Sequence, residues 1–296
     1  MLSFILTVGF RHYALVRHLL DVPNNRSSQS EPTPRGGGVA VVIAFVGSAS
    51  VFGSLWDHWS VSLVTVLGAG AGIALLGFLD DHNHIDFHWR LLMHFLFACC
   101  VVVGMGGLPG IDILGYTPDF WLGWVAAVFY VVWLVNLYNF MDGIDGIAAI
   151  EAITVCVGAA LCAMAAGAGV QNWVLPGFLA AAALGFLLLN FPPAKIFMGD
   201  AGSGFIGLVL GGLSLQAAWD QPQLFWSWLI LLGVFFVDAT VTLVRRVLRG
   251  EKFYQAHRSH AYQSASRQLK GGHRVLIWLA LYFNAGQAER ERQLPT

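Results

Sequence analysis

The stretch Ser60-Val-Ser-Leu-Val-Thr-Val-Leu-Gly-Ala-Gly-Ala-Gly-Ile-Ala-Leu-Leu-Gly-Phe-Leu-Asp80-Asp81 carries no charge until its last two residues, which are adjacent carboxylates. At 1.5 Å per helical residue, about 20 uncharged residues reach roughly 30 Å, the thickness of a bilayer's hydrocarbon core. In that medium every backbone N–H and C=O must be satisfied internally, which an α-helix does by itself. The stretch therefore reads as a membrane helix whose last turn delivers Asp80 and Asp81 to the membrane boundary.

Working outward, further apolar stretches lie near 37–56, 91–107, 120–137, 147–166, 173–190, 203–219 and 223–243. Residues 1–10 and 275–283 are apolar but only about half as long as a bilayer core requires. The fold class expected is all-α, a polytopic integral membrane protein of about 9–10 transmembrane helices, forming a single domain over residues 1–296. A hydrophobic content of 57%, a charged content of 11% and a mean hydropathy of +0.66 exclude an ordinary soluble globule. A net charge of −1 gives no footing for a nucleic-acid partner. Cys99, Cys100, Cys156 and Cys162 all fall within apolar stretches and read as small buried hydrophobes. The start of the chain has neither a basic region nor a small-residue cleavage site, so no cleavable signal peptide is expected.

Charge sorts the connecting loops into two sets. One set carries Arg11 to Arg35, Arg90, Lys195 and Arg245 to Arg274, while the other (57–59, 108–119, 167–172, 220–222) has no Lys or Arg. The positive-inside rule makes the first set cytoplasmic. Tryptophans 56, 59, 121, 124, 173, 219 and 226 gather towards the opposite ends, as an outer interfacial belt would.

All the chemistry-bearing motifs fall in the basic set of loops. The first holds Pro32-Thr-Pro-Arg35-Gly-Gly-Gly38, where glycines allow close approach to a ligand just before a helix whose free N–H groups suit phosphate. The second opens with Asp80-Asp81, whose mutual repulsion at a membrane edge calls for a compensating cation. Mg²⁺ is the natural candidate, because it prefers hard oxygen ligands shared with phosphates. His82, His84 and His88 nearby lack the cysteine partners or clear ligand set of a zinc site.

The third motif is Asn136-Leu-Tyr-Asn139-Phe-Met-Asp142-Gly-Ile-Asp145-Gly146, with amides and carboxylates at three-residue spacing. On a helix they share roughly one face, and such groups can read a base edge, bind a sugar or hold a metal. The fourth, Asn190 to Ser203, offers Lys195 as a point charge, Phe197 for stacking and Asp200 between glycines, although Asp200 or Ser203 could equally cap the next helix. The fifth carries His257-Arg-Ser-His260, able to bind phosphate oxygens or exchange a proton. Glu151 and Asp238 are costly in a membrane unless paired. Glu151 sits close after the third motif, and Asp238 could pair with Arg245 or Arg246 or open into a water-filled cavity.

Five motifs in this order, PTPRGGG (32–38), GFLDD (77–81), NLYNFMDGIDG (136–146), NFPPAKIFMGDAGS (190–203) and HRSH (257–260), resemble the polyprenyl-phosphate N-acetylhexosamine-1-phosphate transferase family. The HRSHAYQ form looks more like the O-antigen-initiating branch than the muramoyl-pentapeptide branch. Gln29 stands where close relatives often carry His. The resemblance implies transfer of a sugar-1-phosphate from a UDP-sugar to undecaprenyl phosphate with release of UMP, in the bacterial inner membrane, from a site facing the cytoplasm. It implies Asp80, Asp81, His257 and His260 as catalytic groups, and Asp200 with Asp81 as ligands of Mg²⁺ (Mn²⁺ as a substitute). Arg35, Asn136, Asn139, Asp142, Asp145, Asn190, Lys195 and Phe197 would bind substrate. A homodimer is compatible with the family. The rival from another class is a carboxylate-lined transporter or ion channel, whose site would lie at the bilayer midplane rather than crowd one mouth. An aspartyl intramembrane protease is a weaker rival, raised by Met198-Gly199-Asp200.

Overall fold

A computed structural model describes residues 1–21, 32–111, 119–251 and 260–268. The chain is a bundle of helices: α1 (Leu2–Val16), α2 (Gly38–Leu55), α3 (Val61–His82), α4 (Phe87–Met105), α5 (Phe120–Met141), α6 (Ile147–Ala165), α7 (Gln171–Asn190), α8 (Asp200–Asp220), α9 (Pro222–Leu231), α10 (Gly233–Leu248) and α11 (Ala261–Gln268). Two short strands, β1 (Leu20–Asp21) and β2 (Thr33–Pro34), pair antiparallel with Leu20 opposite Pro34. Among the described residues seven helices are long and apolar enough to cross a membrane. The expected span at 223–243 is broken: α9 and α10 meet at 68°, and together they would make an eighth. The first helix is longer than the apolar run 1–10 but still falls short of a full crossing. The expected helix at 275–283 lies outside the described residues. This is an all-α, multi-pass membrane protein.

α8 is the central column. Every residue from Ala201 to Ala218 is buried, with α3 and α5 packed most closely around it. Between membrane helices there is little hydrophobic driving force, so close backbone approach through small residues supplies the attraction. Gly204, Gly207, Gly211 and Gly212 provide that approach on α8, and a Cβ at Gly207 would overlap the backbone of Leu134 and Val135 on α5. Two contacts of this kind decide the site. A Cβ at Gly77 would overlap the backbone of Asp200 and Ala201, and one at Gly38 would overlap Gly202. The C-terminal end of α3 and the N-terminal ends of α2 and α8 therefore meet at one end of the bundle.

Candidate active site

At that end the PTPRGGG and NFPPAKIFMGDAGS segments are joined backbone to backbone. Phe197 N–H donates to Pro34 O at 2.8 Å, Gly37 N–H to Phe197 O at 2.9 Å and Gly38 N–H to Met198 O at 2.8 Å. The third motif is tied in next. Asn190 Oδ1 accepts from Gly146 N–H at 2.9 Å while its amide donates to Ile196 O at 2.9 Å. Asp145 Oδ2 accepts from Ala194 N–H at 3.0 Å. Three loops far apart in sequence thus become one hydrogen-bonded rim.

The rim encloses a cleft of about 180 Å³ lined by Asp21, Arg35, Asp81, Asn139, Asp142, Ile144, Asn190, Phe197, Gly199 and Asp200. Seven of these, Arg35, Asp81, Asn139, Asp142, Asn190, Phe197 and Asp200, are residues the sequence nominates. Asp142 is pushed well above the ordinary carboxylate range, first by burial and then by the charges of Asp200, Asp81 and Asp145. Carboxylates crowded this way attract a cation. Asp81 Oδ2 is buried without a hydrogen bond, beside the Gly199 Cα where a Cβ would stand 2.6 Å from it. Gly199 itself has φ +76°, a conformation natural to glycine.

The cationic partners already in place are arginines. Arg35 lies 3.6 Å from Asp81 Oδ1 through Nε and donates a second bond to the Asp81 carbonyl. Arg90, at the start of α4, pairs with Asp80 and lies 3.1 Å from Asp200 Oδ2, bridging the two acids. In sequence Arg90 reads only as a topology charge, with a metal ion expected to compensate Asp80-Asp81; the structure gives part of that task to Arg90. The signal was available, since Arg90 is the lone cation between that acid pair and the next span.

The other nominated residues lie outside the cleft lining. Asp80 is nearly buried, accepting from Ile85 N–H at 2.7 Å as well as pairing with Arg90, and it faces a small adjoining pocket with His94 and Asn139. Asn136 lies deeper on α5, donating to Val132 O at 2.7 Å and hydrogen-bonded to His94. Lys195 is exposed on the rim. His260 is buried beside Asp238 at 3.8 Å, and His257 lies outside the described residues. Asp21, Ile144 and Gly199 line the cleft without having been nominated. Among the described residues no three His, Cys, Asp or Glu side chains converge as a ready metal cage. Mg²⁺ does not need one, since it is commonly held by one or two carboxylates plus substrate phosphates and water. Asp81, Asp142 and Asp200 are the oxygen donors that could serve.

Residues 63–218, more than half of the chain, match the family model for glycosyl transferase family 4. The chain belongs to glycosyl transferase family 4. Over 263 residues it is 32% identical to a probable undecaprenyl-phosphate N-acetylglucosaminyl 1-phosphate transferase of Bacillus subtilis, covering 87% of this chain and 72% of that protein. A decaprenyl-phosphate N-acetylglucosaminephosphotransferase of Mycobacterium tuberculosis is 31% identical over 294 residues, covering 88% of this chain and 72% of that protein. A phospho-N-acetylmuramoyl-pentapeptide-transferase of Lactobacillus gasseri is 29% identical over 235 residues, covering 73% and 70%. In this family 4 chain the matched region runs from α3 to α8, and so includes Asp80, Asp81, Arg90, the third motif and Asp200.

Proposed function

We propose that this family 4 protein transfers a sugar-1-phosphate from a UDP-sugar to undecaprenyl phosphate and releases UMP, initiating a cell-surface polysaccharide. One observation carries the reading: a single cleft is lined by residues from the PTPRGGG, GFLDD, NLYNFMDGIDG and NFPPAKIFMGDAGS segments together. A phosphate oxygen of the carrier attacks the sugar-bearing phosphorus, the P–O bond to UMP breaks, and UMP leaves with the bridging oxygen. The attacking oxygen is already charged at neutral pH, so the protein has chiefly to position the reactants and neutralise charge.

Arg35 is placed to contact phosphate oxygens. Phe197 offers a ring for the uracil, while Asn139 and Asp142 offer hydrogen bonds to the nucleoside. Asn190 and Asp145 brace the loops behind them. Asp81 faces the reacting phosphates, whereas Asp80, committed to Arg90 and Ile85, anchors the bridge to Asp200. Mg²⁺, with Mn²⁺ as a substitute, would be held by Asp81 and Asp200 and would neutralise the diphosphate. A groove of about 760 Å³ along α9, α10 and α11, with Ile230, Val234, Val237 and Val241 as apolar lining and Asp238, Thr242 and Arg245 as polar lining, suits the carrier's prenyl chain and its charged head. The Lys and Arg in these loops support a cleft that faces the cytoplasm, in the bacterial inner membrane where the carrier would be found.

The acids gather at one mouth of the bundle, which favours surface chemistry over alternating access through the midplane. The test is to incubate the purified chain in nanodiscs with undecaprenyl phosphate, Mg²⁺ and a panel of UDP-N-acetylhexosamines. UMP release coupled to a lipid-linked sugar phosphate is expected. Solute uptake by proteoliposomes without any lipid product would refute the reading in favour of a transporter.

A further inference from the structure

Helix α4 buries only His94, Ala98, Val101, Val102 and Met105, and His94 is the one polar group among them. It is 7% exposed. A polar ring inside a membrane bundle is costly unless hydrogen bonds offset its desolvation. One partner is Asn136 of α5, whose amide also donates to Val132 O at 2.7 Å. Nδ1 of the ring is buried without a hydrogen bond, so the Asn136 bond runs through Nε2.

Arg90 lies one turn earlier on the same face of α4, and its Nε is likewise buried without a hydrogen bond. Its Nη1 is committed to Asp80 and Asp200. Both residues line the small pocket beside the cleft, together with Asp80, Asn139 and Asp200. That pocket measures about 10 Å³, which suits one water and nothing larger. Buried waters typically make about three hydrogen bonds to polar groups that are otherwise unsatisfied. Donors and acceptors balance here. The Arg90 Nε–H needs an acceptor, the bare Nδ1 of an Nε2-protonated ring needs a donor, and a carboxylate of Asp80 or Asp200 can accept the water's second O–H.

We infer that His94 is a positioning residue for the Arg90 bridge, acting through one water held between His94 Nδ1 and Arg90 Nε. The ring donates from Nε2 to Asn136 Oδ1, which fixes the tautomer and leaves Nδ1 as the acceptor. Asn136, which α5 carries away from the cleft, thereby orients the imidazole. The chain from Asn136 through His94 and the water to Arg90 holds the guanidinium plane so that Nη1 spans Asp80 and Asp200. It thus sets where Asp200 stands at the cleft, and its consequence for turnover rests on the transferase reading above. If the ring at position 94 only fills space, an apolar residue of similar size replaces it without loss.

The experiment uses the full chain in nanodiscs with His94→Phe, His94→Gln, Arg90→Lys and the Phe/Lys pair, each assayed at a temperature where it is folded. Phenylalanine keeps a ring and removes both nitrogens, whereas glutamine keeps a donor and an acceptor. His94→Phe is expected to lower kcat for UMP release at least about fivefold, and His94→Gln to stay within about threefold of wild type. Added to Arg90→Lys, which removes the Nε–H, the phenylalanine should cost less than about twofold, because both changes act on one contact. NMR of isotope-labelled imidazole nitrogens in the wild-type chain, assigned by the signals lost in His94→Gln, should show Nε2 protonated and Nδ1 bare. A smaller loss in His94→Phe, a larger one in His94→Gln, a loss in the pair beyond about twofold, or a proton on Nδ1 would each overturn the inference. If His94→Phe does not fold, His94→Leu takes its place with the same expectations. A wild-type chain that releases no UMP would strike the transferase reading instead, and the nitrogen spectra would then decide the His94 contact by themselves.

Discussion

The two ends of the bundle handle their carboxylates in opposite ways. At the end without basic residues, Asp220 accepts from Gly169 N–H and from the Asn172 amide, both at 2.7 Å, and Asp119 caps α5 by accepting from Leu122 N–H at 2.8 Å. Trp219 and Gln221 close the same end by donating to the Gly107 and Ala166 carbonyls. At the other end Asp81, Asp142 and Asp200 face one another across a cleft, with a buried Asp81 oxygen left without a hydrogen bond. The lesson is about capacity. An acid whose lone pairs are taken up by its own chain is fastening loops, while acids brought together with capacity to spare are set for a ligand.

The comparison breaks first at Asp200. Asp200→Asn should lower UMP release at least about 100-fold in a Mg²⁺-supplemented assay, since it removes charge where a diphosphate must be held. Near-normal turnover would mean that the open end is no more chemical than the closed one. The next largest effect is expected at Arg90. Arg90→Ala leaves the buried Asp80 charge without its partner, at a cost on the order of 2 kcal/mol in stability, and releases Asp200 from its bridge. Thermal unfolding and kcat should fall together, and a variant unchanged in both would show the bridge to be idle.

Gly77→Ala sharpens the contrast without touching a polar group. The added methyl meets the backbone of Asp200, and overpacking of this kind costs about 1–3 kcal/mol. Turnover should drop about tenfold or more, because small misplacements of reacting groups are expensive. If it does not, the spacing between α3 and α8 is not what sets the site. The smallest effect belongs to the closed end. Asp220→Ala should leave kcat within about twofold of wild type and lower stability by about 1 kcal/mol, read as a small shift of the thermal midpoint.

Much of the cleft is legible in the sequence, because glycine-flanked carboxylates and amides at membrane edges have few structural uses. Arg35, Asp81, Asn139, Asp142, Asn190, Phe197 and Asp200 came from such motifs and meet in one lining. Asn136 and Asp145 share the same spacing yet turn elsewhere, one deeper along α5 and one into a backbone brace. Periodicity puts residues on a helical face but does not say where the helix stops, and α5 ends at Met141. Asp238 is conspicuous as an acid in an apolar run, for which Arg245, Arg246 or a water-filled cavity is the expected compensation, and Arg245 does line the same groove. Its carboxylate is turned instead to the start of α11, a pairing that requires the chain to reverse and that no local spacing encodes.

Local chemistry along the chain was enough to read the membrane helices and the sorting of charge between the connecting loops. Those properties depend on transfer free energies and on neighbours within a few residues. Tertiary packing alone decided which acids are fastened and which stay open, that Arg90 bridges Asp80 and Asp200, and that Asp238 serves α11. The meeting of Asp80 and Asp81 with Asp200 turns on how closely α3 and α8 approach, and Gly77 permits that approach from far along the chain.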